Sequence, residues 1–193
     1  MSEHNHSHSG HAAEDFHAFY AEGQKWSGNP NTTLVREAEK LTPGTALDIG
    51  CGEGADVAWL AKAGWDVIGT DPIQGALDRA REVTDAPLFA LDLAGTAEKF
   101  ADTSFDLVSA MYIPLEATQE IVDTLASLVA PGGTLLFVHH QFDEPNAILS
   151  PQQVAEMLGD EFPAPQLSTV DRGETHGAGA HHRTDLVLVA TRA

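Results

Sequence analysis

The chain has 193 residues, 42% of them hydrophobic, and carries 10 basic side chains against 29 acidic ones for a formal net charge of −19. That length fits one domain with a sizeable core, and the apolar content is too high for a disordered chain. So acidic a surface, with no cluster of Lys or Arg, repels phosphate backbones and argues against a nucleic-acid partner.

A single cysteine, Cys51, rules out an intrachain disulfide, and no apolar run approaches the roughly 20 residues that span a bilayer. The N-terminus has neither the basic start nor the apolar stretch of a secretory signal, so no membrane association and a cytoplasmic location are expected.

Residues 1–13 are polar and aperiodic and read as a disordered His-rich tail; His4, His6, His8 and His11 have the chemistry to chelate a metal ion, but a solvated tail is the simpler reading and no metal site is expected. A single domain then runs over 14–193. Its first part, 14–44, carries the aromatics Phe16, Phe19, Tyr20 and Trp26, which suit either a lid or ordinary core. Gly28-Asn29-Pro30 is a turn, and Thr32 or Thr33 can cap a helix running to about Leu41, stopped by Pro43-Gly44.

From Thr45 the pattern alternates. ALDI (46–49) reads as a buried strand, ADVAWLAKAG (55–64) as a helix with Gly64 at its C-cap, WDVIGT (65–70) as a strand and GALDRAREV (75–83) as a helix. PLFALDL (87–93) and FDLVSAMY (105–112) read as strands, and LEATQEIVDTLASLVA (115–130) as a helix stopped by Pro131-Gly132-Gly133 before the strand TLLFVHH (134–140). Ser150-Pro151-Gln152-Gln153 has the form of a capped helix start. Two strands, 166–172 and 184–192, flank a Gly/His-rich turn. This α/β alternation implies a mostly parallel sheet covered on both faces, with one antiparallel strand at an edge.

The chemistry sits in ALDIGCGEGADVAWLA and GWDVIGTDPI. The first strand ends at Asp48, and Gly50, Gly52 and Gly54 form the turn into the helix, where missing side chains let a ligand approach the backbone. Asp71 ends the second strand, where a carboxylate can accept both hydroxyls of a ribose. The ligand is therefore adenosine-containing. The glycines alone also fit a dinucleotide fingerprint. Asp48, two residues before the first glycine, tolerates a cationic ligand and repels a pyrophosphate.

LDIGCGEG, VIGTDP, LDL, FDLVSAMY and LVAPGGTLLFV, in this order, resemble the motifs of the class I (Rossmann-like) S-adenosylmethionine-dependent methyltransferases, in particular the small bacterial subgroup of tellurite-resistance and thiopurine-type enzymes. The resemblance covers roughly residues 15–193. It implies a seven-stranded sheet of order 3-2-1-4-5-7-6 with the seventh strand antiparallel, and methyl transfer from S-adenosylmethionine to a small-molecule acceptor. It also implies that Asp48 and the backbone of Gly50, Cys51, Gly52 and Gly54 hold the methionine end, and that Asp71 binds the ribose. Pro72 and Ile73 would pack beside the adenine, Asp92 and Leu93 would contact its edge, Ala110 and Met111 would flank the sulfonium, and Trp26 would lie over the cofactor.

Cys51 reads as a packing residue rather than a nucleophile, and Asp92 is equally readable as a strand end. No catalytic residue is identifiable, since a soft nucleophile needs no base; Tyr112, His139, His140 and Arg172, with His176, His181 and His182, are candidate acceptor contacts. A monomer or homodimer is expected. The rival readings are an adenosyl-ligand-binding protein without catalysis and an NAD-dependent oxidoreductase.

Overall fold

The structure, a computed structural model, describes residues 28–141, 147–171 and 184–193. Helix α1 (Thr32–Ala38) precedes strand β1 (Thr45–Ile49), which is followed by α2 (Ala55–Lys62), β2 (Asp66–Thr70), α3 (Gln74–Ala80) and the two-residue β3 (Leu88–Phe89). Then come α4 (Leu93–Lys99), β4 (Phe105–Met111), α5 (Gln119–Ser127), β5 (Val129–His140), α6 (Pro151–Met157), β6 (Gln166–Asp171) and β7 (Thr184–Thr191). The strands form one sheet of order β3-β2-β1-β4-β5-β7-β6. Strands β1 to β5 pair in parallel, whereas β7 runs antiparallel to both β5 and β6. The antiparallel strand is thus internal and β6 forms the edge, the order implied by the family resemblance rather than by the strand pattern alone.

Strand alternation divides the core in two. Leu47, Ile49, Val108, Ala110, Leu135 and Phe137 face α5 and α6, where they pack with Val122, Leu125 and Val154. Ala46, Leu107, Leu136, Val138 and Val187 face the other way, against Leu34 of α1, Val57 and Leu60 of α2 and Leu77 of α3. Central strands buried on both faces explain the near-continuous apolar runs of β1, β4 and β5. Among the described residues, no helix is long and apolar enough to cross a membrane.

Local signals explain most elements. Helix α2 ends as read: Gly64 adopts φ 96°, Trp65 N–H reaches the Leu60 carbonyl at 3.0 Å, and Trp65 is buried beyond it. At α6 the Ser150 hydroxyl accepts from Gln153 N–H at 3.2 Å while the Gln153 side chain accepts from Ser150 N–H at 2.9 Å, a complete capping box.

Several boundaries differ from the sequence reading. Helix α1 starts behind Asn31 rather than a threonine cap and ends at Ala38, short of Leu41, and α3 spans Gln74–Ala80 rather than 75–83. The third strand is only two residues long, because Asp92 caps a helix that the reading missed: its carboxylate accepts from Gly95 N–H at 2.8 Å. Helix α5 starts at Gln119 behind the Thr118 cap and ends at Ser127, short of the expected 115–130. Strand β5 consequently begins at Val129 and carries Pro131-Gly132-Gly133 as a bulge, since five residues separate Val129 and Thr134 while their β4 partners Phe105 and Leu107 are two apart. A Cβ at Gly133 would lie 2.7 Å from the Phe105 carbonyl oxygen, so the bulge needs glycine there.

Candidate active site

The turn from β1 to α2 is held by its own backbone. Gly50 and Cys51 N–H both donate to the Thr70 carbonyl, at 2.7 and 3.0 Å, and Gly54 N–H donates to the Cys51 carbonyl at 2.9 Å. Gly52 N–H donates to the Asp71 carboxylate at 2.9 Å. Gly50 and Gly54 have φ of 71° and 81°, in the region that favours glycine. At Gly50 a Cβ would also collide with Ile113, and at Gly54 it would lie 2.7 Å from the Cβ of Ala80, so these glycines bring β4's end and α3 onto the turn. Cys51 is buried, burial pushes its thiol well up, and its sulfur packs beneath Gly69: it is a packing residue, as read.

With those N–H groups committed, the polar surface of the turn is dominated by carboxylates. Asp48 is 2% exposed and accepts from the Ser109 hydroxyl at 2.7 Å. Burial, and next the charge of Asp56, hold its carboxyl well above the usual range. Asp56, in the first turn of α2, accepts from Asn31 N–H at 2.6 Å, and burial pushes it up to about 6. Asp71 is raised by burial as well, although it accepts from both Gly52 and Ile73 N–H, at 2.9 and 2.8 Å. Glu53 is tied outward to Arg79 of α3 at 2.8 Å. Three carboxylates that disfavour their own ionisation together gain from a cation placed between them. A pyrophosphate would meet their charge.

A second cluster lies at the ends of β4, β5 and β7, on the α1 side of the sheet. Register pairs His140 directly with Asp185, and the His140 Nδ1 lies 2.8 Å from the Asp185 carboxylate. The other Asp185 oxygen accepts from the Tyr112 hydroxyl at 2.6 Å. Tyr112 stacks on His140 with ring centroids 4.6 Å apart, and its φ of 57° is positive, a conformation costing about 1–3 kcal/mol that the surrounding contacts must hold. The Asn31 side chain joins the two clusters, bonding Asp56 while its Oδ1 lies 3.3 Å from the Tyr112 hydroxyl.

The predicted residues are therefore only partly assembled by their motifs. Asp48, Gly50, Cys51, Gly52, Gly54, Asp71 and Ile73 surround the first turn. Pro72 is exposed beside them, and Ala110 and Met111 are buried at the end of β4 next to β1. Asp92 is an exposed helix cap followed by the buried Leu93. His139 points to the opposite face from His140 and is 4% exposed. Trp26, Arg172, His176, His181, His182 and residues 1–13 lie outside the described residues. Sequence reasoning missed Asn31, Asp56, Ser109 and Asp185; only Asp56, directly after the glycine turn, offered a local signal.

Residues 46–133 match the family model described as a methyltransferase domain. That stretch of the chain resembles a methyltransferase domain. The chain is 35% identical over 112 residues to the ubiquinone biosynthesis O-methyltransferase of Methylococcus capsulatus, 54% of this chain and 46% of that one. To the enzyme of the same name from Azorhizobium caulinodans it is 34% identical over 99 residues, 47% of this chain and 38% of that one. The chain thus spans less than half the length of either relative.

The fold of the domain matches a structure solved in a study of disulfide-to-thioacetal conversion in echinomycin biosynthesis, with TM-score 0.72 and 18% identity over 93% of this chain and 91% of that one. It also matches the N-methyltransferase NodS of Bradyrhizobium japonicum in complex with S-adenosylhomocysteine, with TM-score 0.60 and 21% identity over 83% and 84% of the two chains.

Proposed function

We propose that the methyltransferase domain moves the methyl group of S-adenosylmethionine to a small-molecule acceptor by in-line displacement. The observation that carries this reading is the convergence of Asp48, Asp56 and Asp71 on a turn where the N–H groups of Gly50, Cys51, Gly52 and Gly54 are committed. That site fits an ammonium and a sulfonium and does not fit a pyrophosphate, which counts against the oxidoreductase reading. The bound donor supplies a methyl group on cationic sulfur with a neutral thioether as leaving group. Asp48 and Asp56, with the carbonyls around Gly50, Cys51, Gly52 and Gly54, hold the amino-acid end. Asp71 accepts the ribose hydroxyls on lone pairs its two backbone donors leave open. Pro72 and Ile73 flank the adenine, Asp92 and Leu93 line its edge, Ala110 and Met111 border the sulfur, and Trp26 covers the ligand.

Positioning is most of what such a displacement asks of the protein, with the acceptor aligned and water excluded. Acceptor contacts come from Tyr112, His140 and Arg172; His139, expected among them, is buried on the opposite face of the sheet. The relatives' names include O- and N-methyltransferases, and acceptor identity is outside what they share. We place the protein in the cytoplasm as a monomer or homodimer, on the strength of its charge and single cysteine. Calorimetry with S-adenosylhomocysteine tests the reading: saturable binding supports it, and no heat with either donor or product removes it. A panel of small hydroxyl, amine and thiol acceptors with labelled donor separates an enzyme from a non-catalytic binding protein.

A further inference from the structure

We propose that Asn31 is a positioning residue of the donor site, fixing the Asp56 carboxylate so that the site selects ligands by their free amino group. This goes beyond the methyl-transfer reading above and rests on it. Asn31 stands at the N-cap of α1, where an asparagine side chain usually bonds the first turn, yet its side chain makes no capping bond there. Its donors go to one carboxylate 25 residues away instead. The backbone N–H donates to the Asp56 Oδ1 at 2.6 Å, and the side-chain amide donates to the same carboxylate. The amide oxygen lies 3.3 Å from the Tyr112 hydroxyl, which leaves the amide nitrogen turned to Asp56. The reverse orientation would set an oxygen against a carboxylate.

Asp56 is placed to use that support. It belongs to the first turn of α2, directly behind the glycine turn, and its charge bears on Asp48 at the end of β1. Asp48 is buried and takes the Ser109 hydroxyl at 2.7 Å, whereas Asp56 is half-buried and keeps part of its carboxylate open. A carboxylate has about four lone-pair positions, so the bonds from Asn31 leave room for an ammonium. Hydrogen bonds to a carboxylate favour its charged form, the form that an ammonium needs. They also hold its oxygens in one orientation, which saves the ligand the cost of ordering them. Leu34 of α1 packs in one cluster with Val57 and Leu60 of α2, so Asn31 and Asp56 are carried by two helices that move little against each other. An asparagine that forgoes its own helix cap to steady a carboxylate on the next helix is thereby accounted for.

The test compares S-adenosylhomocysteine with its deaminated analogue, in which hydrogen replaces the α-amino group, by calorimetry. Wild type is expected to prefer the amino compound by about tenfold or more, the worth of a hydrogen-bonded ion pair. In Asn31→Ala that preference is expected to fall to about threefold or less, while the analogue binds as tightly as it does to wild type. A purely structural role would weaken both ligands alike and leave their ratio unmoved. Asn31→Ser gives α1 a good capping residue whose side chain is shorter than the amide, and it is expected to lose the preference in the same way. It decides the matter if Asn31→Ala does not fold. An unchanged preference in either folded variant overturns the proposal, as does a wild type that binds the two compounds equally. Loss of both ligands in both variants overturns it too, since Asn31 would then serve the fold. Failure of wild type to bind S-adenosylhomocysteine removes the methyl-transfer reading instead.

Discussion

At the scale of single residues, the site is organised by carboxylates placed where their own charge is costly. Asp56 shows the consequence most directly. Its carboxyl is raised by burial to about 6, so the folded protein holds that proton more tightly than the unfolded chain. Stability is therefore lost as pH rises from about 4 through about 6, when the buried carboxyl must ionise. Asp56→Asn is expected to be more stable than wild type above pH 6, with the two converging near pH 4, in urea denaturation at each pH. Affinity for S-adenosylhomocysteine runs the other way: in wild type it falls as pH drops through that range, and calorimetry at several pH values reads the slope.

Asp71 latches Gly52, and in the proposed site its remaining lone pairs are offered to a ribose. Asp71→Ala is expected to weaken S-adenosylhomocysteine binding by about 1–3 kcal/mol, the cost of unpaired hydroxyls and a released turn. Unchanged affinity would remove Asp71 from the site.

At the scale of elements, the turn between β1 and α2 is set by geometry that only glycine meets cheaply. Gly54→Ala forces a side chain into φ 81° and against Ala80, and is expected to cost about 1–3 kcal/mol in thermal or urea melts. The capping box of α6 was readable as four consecutive letters, and it is local in the same sense. Ser150→Ala is expected to cost about 1 kcal/mol, since a buried-side helix loses its first-turn acceptor. The missed helix α4 shows the limit of such reading. Asp92 sits between apolar neighbours, and an Asp in that setting serves equally as a strand end or as a cap; the cap was chosen by how the chain leaves β3 toward α5. The bulge in β5 has a similar cause, because Pro131-Gly132-Gly133 reads as a stop when the pairing partner Phe105 is out of view.

For the whole molecule, the parallel order of β1 to β5 gathers the strand ends onto one edge, and both clusters stand there. The fully buried Leu47 of β1 anchors that arrangement, and Leu47→Ala is expected to cost about 2–5 kcal/mol in equilibrium unfolding and to weaken ligand binding through loss of register. Deleting residues 1–13 is expected to leave S-adenosylhomocysteine affinity unchanged; a large loss in calorimetry would place that segment in the site.

The amino-acid sequence alone determined the alternation of strands and helices, the glycine turn, and Asp48 and Asp71 at strand ends, because each is written within one strand–turn–helix unit. It did not determine which side chains meet beyond the turn. Tyr112 and Asp185 are 73 residues apart, and His140 and Asp185 meet only because β7 inserts antiparallel beside β5 in one register. A one-residue slip of β7 in that register would turn Asp185 to the opposite face of the sheet from His140, since side chains alternate along a strand. Local backbone preference shaped the glycine turn, and long-range strand pairing brought Tyr112, His140 and Asp185 together.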